Sequence, residues 1–493
     1  MEESSSQTVL IPQPDSIEQE HNQLPLSMDD MIEQSLEDFG WMQFLQSVLV
    51  SFFAIFDAQQ SFISIYTDAL PTWYCTNHDT SCNSGSSDIC KLPKSSWAWD
   101  ANSSQTIISE WGLECANPFI IGLPQSSFFI GCLSGGFLLA SLADSSLGRK
   151  NSLFLSCLIT SIASVIIVFS TNVWIYSVLK FIIGFFRSSI GSIALVLLTE
   201  KVGKQWRVRV GILNYFCFTL GFISLSAIAY VNRDTSWKSL YLWTSIPAIC
   251  YCVLAHFFVT ESPRWSTMQP IKNEVNLAVC LLEEVPAKPK TSIRTLFYKS
   301  WAVQRLLSVM MLGLGIGMVY YGMPLGVGNL GFNIYLAGLF NALLELPSCL
   351  ATYFLDKCKR KISILGFSIL SGICSILGVM VGNEHKIVNI CLELASYFGA
   401  CTAFDVLLIY TVELFPTSVR NTATSIVRQA IVVGAIFCPF LNSVGRKNDI
   451  FSYGVFGIVI ICCSFFVACL PETVGTTLCD TMDEQEGKER ALV

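Results

Sequence analysis

A small number of ionisable side chains lie inside long apolar stretches of this chain, where a charge is energetically costly. Asp57, Arg187 and Glu345 each fall near the middle of such a stretch. A charged residue at the centre of a membrane helix costs about 2.5–3.5 kcal/mol on insertion scales, so each needs a partner, an aqueous cavity or a neutral form. An acid in that position can bind a cation or carry a proton. These three residues are therefore the first candidates for function.

Two further charges, Asp405 and Arg428, lie within apolar stretches but nearer their ends. Asp405 could attract a cation, or it could simply face Arg428. Glu345 is followed closely by Pro347, which leaves a helix carbonyl four residues earlier without its usual donor, so the local polarity is already unusual. For Glu345 the alternatives are a neutral group at a helix contact and a group that lines a cavity.

The composition predicts an integral membrane protein. Of the residues, 52% are hydrophobic and 14% are charged, and the charged residues lie largely between apolar runs. Runs of roughly 18–25 apolar residues predict twelve membrane-spanning helices. The predicted helices are 43–68, 119–141, 152–171, 174–198, 209–231, 239–260, 307–328, 332–355, 362–382, 387–411, 422–444 and 450–470. The fold class is therefore an all-α polytopic membrane protein with both termini on one side.

Three charged motifs recur in the two halves of the chain at a nearly constant separation of 211–213 residues. They pair Asp144 and Arg149 with Asp356 and Arg360, Glu200 and Arg207 with Glu413 and Arg420, and Glu261 with Glu472. Each motif follows an apolar run, so the repeating unit is a bundle of spans, an arrangement typical of solute transporters. Salt bridges among these helix-end charges could form a gate on the face that bears the termini. The alternative to a gate is that the basic residues of these motifs are solvated and serve only as positive charge on that face.

The predicted segments follow from charge and hydropathy. They are an acidic disordered tail (1–40), an N-terminal six-helix bundle (41–260), a linker (261–306), a C-terminal six-helix bundle (307–470) and a C-terminal tail (471–493). The connecting segments and tails on the terminal side contain 20 Lys and Arg, against seven on the opposite side. Cytoplasmic segments retain positive charge, so both termini are expected to be cytoplasmic.

The loop 72–118 contains four cysteines and a glycosylation sequon. Cys75, Cys82, Cys90 and Cys115 lie on the side opposite the termini, where an oxidising compartment favours two disulfides of unspecified connectivity. A zinc site is the alternative. Asn102 is followed by Ser103 and Ser104 and forms the acceptor sequence for N-glycosylation.

Several segments resemble the organic cation/carnitine transporter family of the major facilitator superfamily, and its plant branch in particular. They are Asp144 with Gly148-Arg149-Lys150, Ser109–Cys115, Glu261–Trp265, Tyr320–Leu325, Glu413–Thr417 with Arg420-Asn421, and Leu470–Thr473. The resemblance extends over about residues 41–480. It implies the major facilitator fold of two pseudo-symmetric six-helix bundles.

The resemblance also implies a secondary active transporter for small organic cations or carnitine-like zwitterions, coupled to protons or to sodium. Superfamily members line a central cavity with helices 1, 4, 7 and 10, which would let Asp57 and Arg187 face each other. Asp57 would then gain and lose a proton during the cycle. The alternatives are a permanent structural ion pair and direct contact between Asp57 and a substrate ammonium.

Substrate recognition is expected to differ from that of the animal cation carriers. Those proteins place an acidic residue in helix 11 where this chain has Val432, and Arg428 lies one turn earlier. An Arg could bind the carboxylate of a zwitterion. Tyr320 and Tyr321 belong to the resembling motif and offer aromatic faces to a quaternary ammonium group, although aromatic residues in membrane helices more often serve packing.

Other functions fit less well. A sugar or other organic-solute porter and a sensor that binds solute without moving it remain alternatives. A membrane-embedded acyltransferase is disfavoured because the four histidines form no His-acid motif at a membrane face. No catalytic residues, metal, cofactor or nucleic acid partner are expected. The expected partners are the lipid bilayer and a small organic cation or zwitterion as substrate. The vacuolar membrane is slightly favoured over the plasma membrane.

Overall fold

A computed structural model of the chain describes residues 39–76, 89–100, 105–143, 147–263, 265–266, 293–355, 358–382, 385–445, 451–474, 479 and 481–492. Four residues singled out from the sequence lie outside these ranges: Asp144, Asp356, Cys82 and Asn102. Most of the acidic tail 1–40 and much of the linker 261–306 also lie outside them.

Twelve helices among the described residues are long and apolar enough to span a membrane. Numbered as spans 1 to 12, they are Trp41–Thr67, Pro118–Leu139, Arg149–Phe169, Val173–Glu200, Lys204–Val231, Trp237–Phe258, Ser300–Leu330, Ile334–Phe354, Arg360–Val381, Lys386–Leu414, Ser418–Gly445 and Phe451–Cys469. We call the end of the bundle where span 1 begins the terminal face and the opposite end the loop face. The prediction of an all-α polytopic membrane protein is confirmed.

Two spans are interrupted and others are extended. Span 1 consists of Trp41–Ser51, Phe53–Phe62 and Ser64–Thr67, and span 4 consists of Val173–Arg187 and Ile190–Glu200. The helix of span 2 continues to Ala143. Short 3-10 turns form one end of spans 3, 5, 7 and 12: Ile167–Phe169, Lys204–Trp206, Val327–Leu330 and Phe465–Cys469. Shorter helices are Ile89–Lys91, Lys94–Ser96, Ile107–Glu110, Ile293–Tyr298 and Met482–Leu492.

Several spans begin earlier than the apolar pattern predicts. Span 5 begins at Lys204 rather than at residue 209, and span 7 begins at Ser300 rather than at residue 307. Basic residues such as Arg207 and Arg305 lie in the first two turns of these helices. Arginine is a good helix former, and its long side chain can reach polar surroundings from inside the helix, so the helix extends beyond the apolar run.

The packing of the spans repeats between the two halves. Span 2 packs on span 4, span 1 on span 5 and span 3 on span 6; the same contacts recur as 8 on 10, 7 on 11 and 9 on 12. Between the halves, span 2 packs on span 11 and span 5 on span 8. Exchanging the halves converts one of these last two contacts into the other. The predicted pair of pseudo-symmetric six-helix bundles is confirmed.

Glycines bring spans 2 and 4 into backbone contact. A Cβ added to Gly131 would lie 2.2 Å from the carbonyl oxygen of Phe181, and one added to Gly184 would lie 2.0 Å from the carbonyl oxygen of Phe128. Both distances are far below van der Waals contact. Small residues at such positions let membrane helices approach closely. The contact matters for function because span 4 positions Arg187.

We expect Gly131→Ala to destabilise the protein, because the new methyl group must push span 4 away from span 2. Overpacking of this kind typically costs about 1–3 kcal/mol. Gly366→Ala in span 9 is the matched control, since no atom lies within 4 Å of the added Cβ. The thermal midpoint of the detergent-purified protein measures both. Equal midpoints for the two variants would contradict the close contact.

The loop between spans 1 and 2 contains a small antiparallel ribbon. Strand β1 (Trp73–Cys75) pairs with β2 (Trp97–Trp99), so that Cys75 lies opposite Trp97. Cys90 is joined to Cys115 by a disulfide with a Cα–Cα distance of 5.5 Å. Cys75 is also disulfide-bonded. In this structure three of the four loop cysteines therefore form disulfides and are unavailable as zinc ligands.

The helix Met482–Leu492 contacts the start of span 7 at the terminal face. Lys299 donates a hydrogen bond to Asp483 at 2.8 Å and also bonds Glu486. The hydrogen bond from Lys299 lowers the pKa of the Asp483 carboxyl below its usual range. These contacts connect the C-terminal tail to the residue that precedes the second bundle.

Candidate functional site

Asp57 and Arg187 form an ion pair in the middle of the N-terminal bundle. The Nε of Arg187 lies 2.7 Å from one Asp57 carboxylate oxygen, and Nη2 lies 3.1 Å from the other. Only 6% of the Asp57 side chain and 13% of the Arg187 side chain are exposed. Arg187 is the last residue before the interruption of span 4. Both carboxylate oxygens of Asp57 are thus occupied by one guanidinium, in the fork geometry that gives strong charge-assisted bonds.

Aromatic side chains surround this ion pair on the side of the second bundle. The ring of Tyr321 lies 5.0 Å from that of Phe129 and 6.5 Å from that of Phe62, and the Tyr321 hydroxyl lies near the Arg187 guanidinium. Tyr321 belongs to span 7, whereas Phe62 and Phe129 belong to spans 1 and 2. The pair Tyr320 and Tyr321 packs edge to face at 4.9 Å. Tyr321 is therefore a point where the two bundles meet next to the ion pair.

Glu345 accepts hydrogen bonds from three hydroxyl groups and from no cation among the described residues. Tyr320 and Tyr397 donate to one carboxylate oxygen at 3.0 and 3.2 Å, and Thr219 donates to the other at 3.1 Å. Thr219 lies on span 5 of the first bundle, whereas the other three residues lie in the second bundle. The Thr219 bond therefore crosses the bundle interface at mid-depth. The structure places Glu345 in a polar contact between helices, with Tyr320 buried beside it.

Asp405 and Arg428 lie together in the terminal third of the interface without forming an ion pair. Asp405 is contacted by the thiol of Cys349 at 3.9 Å. Tyr215 of span 5 lies near both Asp405 and Arg428. Within the described ranges, no carboxylate lies within 4 Å of the Arg428 guanidinium. Both charges are half-buried, so they could meet a solute or an ion that passes between the bundles.

The repeated helix-end charges form equivalent ion pairs in the two bundles. Arg149 at the start of span 3 lies 3.5 Å from Glu200 at the end of span 4. Arg360 at the start of span 9 pairs with Glu413 at the end of span 10 through two bonds of 2.9 and 3.2 Å. Both pairs lie at the terminal face, and each joins two spans of the same bundle.

The third repeated motif caps the same helices. Glu261 accepts bonds from the backbone N–H of Lys150 at 2.9 and 3.1 Å, and Glu472 accepts from the backbone N–H groups of Arg360 and Lys361 at 3.0 and 3.4 Å. An acid at a helix N-terminus satisfies unpaired N–H groups and interacts favourably with the helix dipole. The repeated acidic residues thus accept the same kind of backbone hydrogen bond at the start of the equivalent helix in each bundle.

Arg207 and Arg420, the remaining basic members of the repeat, contact backbone carbonyl groups. The Nε of Arg207 donates to the carbonyl of Thr199 at 3.2 Å, and the Nε of Arg420 donates to the carbonyl of Phe415 at 3.3 Å. In both halves the arginine side chain therefore links the first turn of one span to the backbone at the end of the span before it.

Contacts between the two bundles close the loop face. Tyr66 of span 1 stacks on Tyr335 of span 8 with ring centroids 5.7 Å apart, and Phe119 of span 2 stacks on Phe440 of span 11 at 5.3 Å. The hydroxyl of Ser126 donates to the carbonyl of Ile436 across the same interface at 2.8 Å. A cavity of about 50 Å³ remains beside these contacts, lined in part by Ser64, Asp68, Gln125, Asn329 and Asn442.

Two buried charges inside the predicted helices, Lys180 and Glu393, were missed by sequence reasoning. Lys180 of span 4 donates to Ser64 at 2.7 Å, and the rings of Phe128, Tyr176 and Tyr241 lie 5.4–5.7 Å from its ammonium group. Glu393 of span 10 accepts a bond from Asn341 at 3.1 Å. Both residues lie inside predicted helices, so the signal that identified Asp57 also applied to them.

Comparison with known proteins identifies relatives over most of the chain. The family model described as "Sugar (and other) transporter" matches residues 114–483. Organic cation/carnitine transporter 2 of Arabidopsis thaliana is 50% identical, over 94% of this chain and 95% of that protein. Organic cation/carnitine transporter 2 of Homo sapiens is 29% identical, over 77% of this chain and 71% of that protein.

Solved structures share the arrangement of the spans. The xylose transporter XylE from E. coli, in an inward-open conformation, matches with a TM-score of 0.64 over 90% of this chain and 98% of its own. The two sequences are 18% identical, so this likeness concerns the fold alone.

Proposed function

The chain belongs to the organic cation/carnitine transporter family of the major facilitator superfamily, and we propose that it moves small organic cations or carnitine-like zwitterions by proton-coupled alternating access. The observation that supports this most directly is the buried bidentate pair of Asp57 and Arg187 beside aromatic residues of both bundles. The relatives' names supply the class of solute. The residues supply a way to couple its movement to a proton.

Protonation of Asp57 would release Arg187. While Asp57 is charged, both of its oxygens bind the guanidinium, so neither is free for a substrate ammonium and Arg187 is not free for a substrate carboxylate. A proton on Asp57 removes the charge that holds the pair together. Arg187 could then bind the carboxylate of a zwitterion in the same fork geometry. The solute and the proton would thus enter the site together.

A quaternary ammonium group requires a different surface, because it has no hydrogen to donate. The rings of Tyr320, Tyr321 and Phe404 form a continuous aromatic wall, with centroids of neighbouring rings 4.9 Å apart. An aromatic face attracts a cation through its quadrupole. A carnitine-like solute would place its carboxylate at Arg187 and its ammonium against this wall.

The gate assignment follows from where the bundles touch. At the loop face, aromatic pairs join the two bundles, whereas the Arg149–Glu200 and Arg360–Glu413 pairs at the terminal face hold each bundle together internally. We assign this conformation as closed to the loop face. In the opposite conformation the aromatic contacts separate and the charged helix ends of the two bundles meet, the rocking motion expected of repeated bundles.

The terminal face is the cytoplasmic face in this proposal, because the Lys and Arg excess lies there. The loop 72–118 would then face the lumen or the exterior, where its disulfides are stable and Asn102 can be glycosylated. We propose the vacuolar membrane as the location. Immunolocalisation of the tagged chain, with glycosidase treatment to detect the Asn102 glycan, tests both statements.

We expect Tyr321→Ala to weaken transport of a quaternary ammonium solute and Tyr321→Phe to preserve most of it. The aromatic face contributes about 0.5–2 kcal/mol, which corresponds to a rise in KM of roughly 2- to 30-fold in the alanine variant. Phenylalanine keeps the ring. Initial uptake rates of labelled carnitine over a range of concentrations give KM for each variant. An alanine variant with unchanged KM would exclude Tyr321 from the binding site.

Counterflow in proteoliposomes tests transport itself. Vesicles that contain the purified protein are loaded with unlabelled carnitine or tetraethylammonium and diluted into a trace of the labelled compound. A transporter exchanges the two pools, so label enters transiently above its external concentration, whereas a sensor that only binds solute gives no such overshoot. Vesicles loaded with a sugar separate an organic-solute porter from the proposed class. Entry with sugar alone would contradict the proposed substrate.

A further inference from the structure

Span 4 is joined to span 1 by a second bond that the proposed transport cycle does not use. The ammonium group of Lys180 donates to the hydroxyl of Ser64 at 2.7 Å. Lys180 precedes Arg187 by seven residues on span 4, and Ser64 follows Asp57 by seven residues on span 1. The two spans run in opposite directions, so both steps lead towards the loop face. At a rise of about 1.5 Å per residue, this bond lies about 10 Å, or roughly two helical turns, from the central ion pair.

A third bond joins the same two spans near the terminal face. Lys201, the residue that follows span 4, donates to Oε1 of Gln46 at 2.7 Å and to the hydroxyl of Thr260 at 2.9 Å. Gln46 lies in the first two turns of span 1, eleven residues before Asp57. Its amide nitrogen donates to the carbonyl of Phe258 at the end of span 6, which fixes the orientation of the amide. Spans 1 and 4 are therefore linked on both sides of the central ion pair.

Lys180 is held in place as a buried cation. The residue is 1% exposed, and its ammonium group lies 5.4–5.7 Å from the rings of Phe128, Tyr176 and Tyr241. Aromatic faces attract a cation, which offsets part of the cost of removing it from water. Asp68 lies near Lys180, and its carboxylate accepts a hydrogen bond from Tyr176 at 3.0 Å. The positive charge is therefore compensated locally, without a contribution from the central ion pair.

The hydroxyl of Ser64 extends the Lys180 bond to a third span. It accepts from Lys180 and donates to Oε1 of Gln125 on span 2 at 2.6 Å. Span 1 is interrupted at Ile63, so Ser64 is the first residue of the short segment Ser64–Thr67. The bond therefore anchors the loop-face end of span 1 beyond the point where its helix is interrupted.

The two outer bonds differ from the central one in the charge of their acceptors. Ser64 and Gln46 are neutral, so a proton that binds Asp57 leaves both outer bonds unchanged. The same proton removes the charge that holds Arg187 in the central pair. The contact between spans 1 and 4 thus consists of one link that a proton can open and two links that it cannot.

We propose that Lys180 and Lys201 are positioning residues that keep spans 1 and 4 aligned while the central ion pair is open. This role rests on the proton coupling proposed above. Alignment matters because Arg187 must meet both oxygens of Asp57 again in every cycle, and small displacements of reacting groups have large effects on rate. Neither lysine contacts the solute in this scheme.

A double-mutant cycle on thermal midpoints tests the shared role without any solute. The detergent-purified wild type is compared with Lys180→Met, Asp57→Asn and the double variant. Methionine keeps an unbranched apolar stem but removes the ammonium group. Side chains about two turns apart usually act independently. Two bonds that hold the same pair of spans support each other instead, so the midpoint of the double variant should fall by more than the sum of the two single losses.

Ser164→Ala is the matched control for this cycle. The hydroxyl of Ser164 donates to Gln60 at 2.9 Å and so joins span 1 to span 3 instead of span 4. Its loss should add to that of Asp57→Asn without any excess. If Lys180→Met does not fold, Lys201→Met takes its place in the cycle. Additive losses with the lysine variant would overturn the proposal.

Proton-driven accumulation of carnitine separates positioning from a merely structural role. A structural defect slows uptake but leaves the final ratio, because the gradient and the coupling set that ratio. A misaligned pair lets solute cross without a proton, so the ratio in Lys180→Met should fall about twofold or more below the roughly tenfold limit for a gradient of about one pH unit. Counterflow should persist.

The outcomes of the two measurements are distinct. A Lys180→Met protein that slowly reaches the wild-type ratio would overturn the positioning role. A wild-type protein that does not accumulate carnitine would contradict the proposed function instead, and the double-mutant cycle would then decide whether the outer bonds and the central pair hold spans 1 and 4 together.

Discussion

Asp57→Asn is expected to abolish proton-driven accumulation of solute while leaving exchange intact. Asparagine resembles the protonated acid in shape and charge, so Arg187 stays free to bind substrate, but no proton can be carried. A gradient of one pH unit supplies about 1.4 kcal/mol, which supports an accumulation of roughly tenfold per coupled proton. The wild-type protein should approach this ratio with the membrane voltage clamped at zero. The variant should stop at equal concentrations on both sides.

The control for this experiment is Asp234→Asn, which removes an exposed carboxylate at the loop face and should leave accumulation unchanged. Counterflow is measured on the same vesicle preparations to show that Asp57→Asn is folded and active in exchange. If Asp57→Asn still accumulates solute tenfold, Asp57 does not carry the proton. The ion pair would then be a permanent structural contact.

Arg187→Ala is expected to destabilise the protein, because alanine removes both bonds to Asp57. Removing one partner of a buried ion pair leaves the other charge without compensation, which typically costs about 3–5 kcal/mol. The uncompensated charge in Arg187→Ala is the carboxylate of Asp57, whose side chain is 6% exposed. We expect a thermal midpoint several degrees below that of the wild type and a lower yield of folded protein.

The double variant Asp57→Asn with Arg187→Ala tests whether the two side chains act as a pair. It removes both charges, so it should recover part of the stability that Arg187→Ala loses. It should also lose carnitine transport while retaining uptake of tetraethylammonium, which has no carboxylate for Arg187 to bind. Strictly additive effects on the midpoint, or equal loss of both solutes, would contradict the assigned role of Arg187.

Much of the fold could be predicted because membrane helices depend on local composition. A helix that crosses a bilayer must be long and apolar, so the twelve spans appear in the sequence without knowledge of tertiary structure. The repeated charges at Arg149 and Arg360 also indicate that the chain consists of two related halves. The ends of spans were less predictable, since Lys204 and Ser300 begin helices in polar sequence where hydropathy carries no signal.

The site was less predictable because its contacts join distant parts of the chain. Asp57 and Arg187 could be selected for their cost in an apolar helix, but the bond from Thr219 to Glu345 joins residues 126 positions apart and belonging to different bundles. No local pattern identifies such a partner. Asp405 and Arg428 illustrate the same limit, since the sequence left open whether Asp405 attracts a cation or faces Arg428, and the structure shows no ion pair between the two. Periodicity determines which face of a helix a residue occupies but not how two bundles meet.

The most direct test of the account is uptake of labelled carnitine and tetraethylammonium into proteoliposomes under a proton gradient, a sodium gradient or neither, with protein-free vesicles alongside. We expect accumulation of at least one compound that requires the proton gradient and is lost in Asp57→Asn. Uptake that only equilibrates, whatever the gradient, would contradict coupling through Asp57. No uptake of either compound under any gradient would contradict the proposed function itself.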